Sequence, residues 1–78
     1  MNLNSHIPLA LAREGTKGTV VTIVGGRGVF SRLIAMGIIP GREVEVLMNR
    51  GGALLVSVNG SKFVLGRGIA MKVIINVK

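Results

Sequence analysis

The sequence predicts an all-β domain: a small, strongly bent barrel of about five strands with one short α-helix inserted at about residues 28–36. Three observations carry that prediction. Short runs rich in Val, Ile and Thr, or alternating apolar with polar residues, recur along the chain and read as strands. Two of them flank Asn59-Gly60, a pair suited to the tight turn of a hairpin because both positions tolerate positive φ. The 78 residues include 12 glycines, which fit sharp bends. A chain of this length is too short for a sandwich of two full sheets, whereas a bent barrel closes its own edges. Domains typically run about 100–150 residues, so a single domain is expected over residues 1–78.

The elements are taken in chain order. Residues 1–6 read as a loose polar leader. Pro8 pushes Ile7 out of the helical region, so Ile7-Pro8-Leu9 is expected to be extended. Leu9 to Glu14 suits a short helical turn stopped by Gly15. Thr19 to Val24 is β-branched at all six positions and apolar on both faces, which predicts a central strand. Val29, Leu33 and Met36 lie on one helical line and Phe30, Leu33 and Ile34 on the next, so both lines are expected in the core. Gly28 would start this helix, and Gly37 would stop it in the left-handed conformation. After a Pro40-Gly41 turn, residues 42–48 alternate, with Val44, Val46 and Met48 facing in and Glu43 and Glu45 facing water. A two-residue hairpin turn at Asn59-Gly60 sets Val58 opposite Ser61, Val56 opposite Phe63, Leu55 opposite Val64 and Leu54 opposite Leu65. Leu54, Val56, Phe63 and Leu65 then face the core, and Leu55, Ser57, Lys62 and Val64 face out. Residues 66–71 suggest a turn with a single 3₁₀ turn, and Val73, Ile75 and Val77 point inward from a last strand.

Several function classes are excluded by what is missing. There is no cysteine, so disulfides, thiolate zinc sites and iron–sulfur clusters are ruled out. The acids are Glu14, Glu43 and Glu45, and His6 is the single histidine. That set supplies neither a paired nucleophile and base nor a closed metal site, so no enzyme activity, metal site or cofactor is expected. The glycines match neither the phosphate loop nor the dinucleotide-binding pattern. No stretch is long and apolar enough for a membrane helix, which needs about 18–20 residues. No basic residue precedes Arg13, so the start lacks the charge of a secretory signal, and the cytoplasm is the default expectation.

The formal net charge is +7. It suits an acidic protein surface, nucleic acid or anionic lipid. The ten basic residues are dispersed, and the aromatics, Phe30 and Phe63, sit where core residues are expected. A base-stacking platform is therefore disfavoured, although nucleic acid stays open. Leu55, Val64, Leu47 and Ile74 alternate onto the outside of the barrel. They await cover from the chain itself, a partner or a second copy.

Arg32-Leu33-Ile34-Ala35-Met36-Gly37-Ile38-Ile39-Pro40-Gly41-Arg42-Glu43-Val44-Glu45-Val46 resembles the FeoA family of bacterial ferrous iron uptake. Leu9-x-Leu11-Ala12-x-x-Gly15, Val56 to Gly60 and Leu65 to Val73 are similar to that family in the same order, so the resemblance spans roughly residues 8–77. It implies an SH3-like barrel in the cytoplasm that regulates the ferrous-iron transporter FeoB, whose cytosolic part binds GTP. Contact with the transporter is expected first through Arg27, Arg32, Met36 and Gly37, and second through Leu55, Val64 and Ile74. The alternative is a basic SH3-like module for nucleic acid.

Overall fold

The computed structural model describes residues 6–78. Most of the leader expected over residues 1–6 lies outside the described residues, and His6 opens the first strand rather than closing a loose segment. The strands are β1 (His6–Pro8), β2 (Lys17–Ile23), β3 (Glu43–Arg50), β4 (Ala53–Val58), β5 (Ser61–Leu65) and β6 (Val73–Val77). They form one antiparallel sheet in the order β1-β6-β2-β3-β4-β5. The strand count exceeds the expected five because the extended Ile7-Pro8 segment pairs with β6. A 3₁₀ turn comes next at Leu9–Leu11. Strand β2 lies between β6 and β3, the central place its two apolar faces predict.

The β4–β5 hairpin has the register that its turn dictates, from Val58 opposite Ser61 to Leu54 opposite Leu65. Asn59 and Gly60 have φ of 55° and 82°, the paired positive values of a type I′ turn. Strand β3 departs from simple alternation. Its register with β4 shifts between Val46 and Met48, leaving Leu47 as an extra residue. The bulge reverses the facing of the residues after it, so Met48 is exposed rather than inward.

Helix α1 spans Arg27–Ala35, starting one residue earlier than expected, with Gly26 rather than Gly28 at its cap. Its C-terminus is well built. Ile38 N–H donates to Leu33 O at 2.9 Å and Gly37 N–H donates to Ile34 O at 2.9 Å, with Gly37 at φ 82°. This is the Schellman arrangement, and its accompanying apolar contact is supplied by Leu33 and Ile38, both fully buried. The N-terminus is weak: no side chain caps it, and no acid occupies the first turn. The short helix therefore depends on burying Leu33, worth about 1.5–3 kcal/mol. A second helix, α2 (Arg67–Ala70), is one α-helical turn where a 3₁₀ turn is expected, and it buries Ala70.

One continuous apolar core joins Leu9, Val20, Leu33, Ile38, Val44, Val46, Leu54, Val56, Val58, Leu65, Val73 and Ile75. Among the described residues no polar or charged side chain is buried. The polar tie lies at its margin. Asn49 donates its side-chain amide to Ala10 O at 3.0 Å and Ala12 O at 2.7 Å, and its Oδ1 accepts from Gly52 N–H at 2.8 Å. One side chain thus joins the carbonyls beside the 3₁₀ turn to the β3–β4 loop.

Candidate functional site

Phe30 and Ile34 are expected in the core, but they are 47% and 37% exposed. The reason is geometric. A nine-residue helix touching the barrel along one line buries only that line, here Leu33 with Val29 and Met36 partly covered. Residues three and seven positions after Arg27 fall on the same helical stripe, so Arg27, Phe30 and Ile34 form one outward row. Exposed Val24 precedes the helix. Its N–H donates to Lys72 O at 2.7 Å, which sets the start of β6 beside the start of α1. The Lys72 side chain runs over Gly25, with Cδ 3.2 Å from where a Cβ would stand there.

Arg32 projects from the other flank of α1, one turn before Met36. Met36 is half-buried against the core. Gly37 is half-buried beneath the Arg42 guanidinium, whose nitrogen lies 3.3 Å from where a glycine Cβ would stand. The segment from Val24 to Gly41 carries no acid, while Arg27 and Arg32 are exposed.

The second group expected to form a contact surface divides in two. Leu55 and Val64 face one another across β4 and β5, and Met48 extends their row onto β3. Ile74 lies on β6 between Pro8 and Thr22. Three strand spacings separate β6 from β4 in the sheet order, roughly 14 Å. Val64 is 76% exposed, whereas Leu55 and Ile74 are half-buried.

The acids are balanced locally. Glu43 forms an ion pair with Lys78, the only one among the described residues. The hydrogen bond and charge of Lys78, with a further contribution from Lys17, hold the Glu43 carboxyl below its ordinary range. Glu45 stands opposite Lys17 in the β2–β3 register. Glu14 accepts a hydrogen bond from Asn49 N–H at 3.0 Å. An open depression of about 300 Å³ is lined by Arg42, Glu43, Glu45, Ser57, Asn59 and Gly60. Among the described residues no three His, Cys, Asp or Glu side chains cluster to hold a metal ion, and no helix is long and apolar enough to cross a membrane.

The distinctive side chains of this small curled sheet are surface cations and outward apolar residues. The FeoA domain matches residues 7–77. The chain is 41% identical over 68 residues, 87% of its length and 83% of the relative's, to a protein of Methanocaldococcus jannaschii named "Putative Fe(2+) transport protein A". It superposes with a TM-score of 0.90 and 35% identity on the crystal structure of an iron uptake regulatory protein, FeoA, covering 94% of this chain and 99% of that one. A structure of Stenotrophomonas maltophilia FeoA complexed with zinc and described as an SH3 domain protein matches with a TM-score of 0.75 and 25% identity, covering 86% of each chain. The chain belongs to the FeoA family, and its fold is SH3-like.

Neither the exposed Phe30–Ile34 row nor the Asn49 tie is anticipated from the sequence. The absence of any acid between Val24 and Gly41 is a signal of the first. An apolar stripe wider than a two-turn helix can bury is a second.

Proposed function

We propose that this protein is an accessory component of ferrous iron uptake that works in the cytoplasm by docking on the cytosolic, GTP-binding part of a FeoB-type transporter. Family membership supports the pathway. The observation that carries the docking mode is the outward row Arg27, Phe30 and Ile34 on a helix segment without acids. Phe and Arg are both among the residue types enriched at protein–protein interfaces, and arginine is also enriched among the residues that dominate affinity. The fit is to a partner surface with an apolar depression and carboxylates around it. The protein in this reading binds and regulates, and the iron remains cargo of the transporter.

The test is calorimetric titration of the protein into the purified cytosolic domain of such a transporter. Phe30→Asp is expected to weaken binding at least about tenfold, the scale of one interfacial anchor. Because Phe30 is about half exposed, the same change should cost no more than about 1.5 kcal/mol of stability and leave the chain folded. Arg32→Glu should weaken association mostly at low salt. An affinity unaffected by Phe30→Asp contradicts the docking mode. Absence of association at high micromolar concentration in low salt contradicts the function.

A further inference from the structure

An antiparallel sheet of six strands that ends at β1 and β5 has two edges, and they are not alike. Strand β1 has three described residues and ends at Pro8, which has no N–H to offer, so it is blunted there against further pairing. Strand β5 has five residues, no proline, no glycine and an unbroken register with β4. In a hairpin closed by a two-residue turn, the residues flanking the turn exchange hydrogen bonds, and alternate positions do the same. Ser61, Phe63 and Leu65 therefore bond to β4. The N–H and C=O of Lys62 and Val64 point to the outer edge, where no strand among the described residues pairs with them. Val64 is also the most exposed large apolar side chain among the described residues, at 76%. Behind it Leu55 and Met48 continue an apolar row across the outer face. Phe63, on the inner side of the same edge, is only partly covered.

We infer that the β5 edge is a docking site for an extended, acid-bearing segment of a partner protein, which joins the sheet as an additional antiparallel strand. Charge selects this occupant. The apolar row is bordered on the outer face by Lys62 on one side and Arg50 on the other. The nearest acid in the Lys62 row is Glu45, two strands away and opposite Lys17. A second copy would bring another +7 chain and another Lys62 to the edge, an arrangement that edge lysines oppose. A carboxylate opposite Lys62 gains from the same charge. The register sets the side-chain pattern. The partner's residue opposite Val64 is apolar, the next falls beside Phe63 and is apolar, and the third, opposite Lys62, is Asp or Glu. This surface lies on the sheet edge, and its use does not depend on the α1 face.

Two acetylated and amidated peptides test it, one with the core Val-Leu-Glu and one with Val-Leu-Lys, by nuclear magnetic resonance of the full chain. The acidic peptide should slow hydrogen exchange at the Lys62 and Val64 amides about tenfold or more at saturation, with no protection of α1. It should bind about fivefold more tightly than the basic one, the scale of one cross-strand charge pair changing sign. Lys62→Glu, a substitution of an exposed side chain, should invert that order. Val64→Pro removes one of the outward N–H groups and should abolish binding. If that variant fails to fold, the Lys62→Glu inversion decides alone. The inference is overturned if these amides stay unprotected, if protection falls elsewhere, or if the peptide preference ignores Lys62→Glu. It is equally overturned if they are protected in the free protein in proportion to its concentration, which would make the occupant a second copy.

Discussion

Replacing Asn49 with Ala removes three hydrogen bonds at once: the two its amide donates to Ala10 O and Ala12 O, and the one its Oδ1 accepts from Gly52 N–H. A net contribution of about 1 kcal/mol each gives about 3 kcal/mol for a dry site. The site is half-buried, so water recovers part of this, and about 2 kcal/mol is expected. Stability of about 0.05–0.15 kcal/mol per residue puts the whole domain at about 4–12 kcal/mol, so one side chain would remove a large share. In thermal unfolding monitored by circular dichroism, Tm should fall by about 8–16 °C. Asn49→Asp should be worse still at neutral pH, because a carboxylate would face two carbonyl oxygens. The new carboxyl would titrate higher in the folded chain than in the unfolded one. Stability of that variant would then be greatest below the unfolded value of about 3.9 and decline as pH rises through the folded one. A loss below about 0.5 kcal/mol for Asn49→Ala, or an Asn49→Asp variant that is stabilised by raising the pH, would refute the reasoning.

Leu33→Ala takes the one fully buried side chain out of α1 and should cost about 2–5 kcal/mol in urea unfolding, with amide exchange accelerating first across Arg27–Ala35. Gly37→Ala forces a Cβ into a left-handed residue at φ 82° and should cost about 1–2 kcal/mol by the same assay. The Glu43 carboxyl should titrate below the ordinary glutamate range, and Lys78→Ala should return it toward that range. Since the folded value is depressed, the stabilisation by this pair is present above the unfolded value and lost as pH falls through the folded one. Both partners are exposed, so the effect should be small and fade with added salt.

The parts of the fold set by local chemistry are legible in the sequence. Asn59-Gly60 dictates the β4–β5 register residue by residue, and Gly37 marks the helix end because few other residues take its φ. What depends on long-range geometry is not legible. The bulge at Leu47 turns Met48 outward, and nothing in an alternating run of valines announces the extra residue. Phe30 and Ile34 look like core because periodicity reports amphipathicity but not how much of a stripe the sheet can cover. Asn49 ties Ala10 and Ala12 across a separation of nearly forty residues, which no spacing rule reaches. Of the surface residues singled out by type, Arg27 and Arg32 are exposed, while Ile74 lies apart from Leu55 and Val64 because strand order puts it there.

Chemical-shift mapping of the isotope-labelled chain, titrated with the cytosolic domain of a FeoB-type transporter, tests the docking claim most directly. The account predicts saturable shifts concentrated on Val24, Arg27, Phe30, Arg32 and Ile34. A surface response confined to the Ile74 side of the sheet, or no response at all, would contradict it.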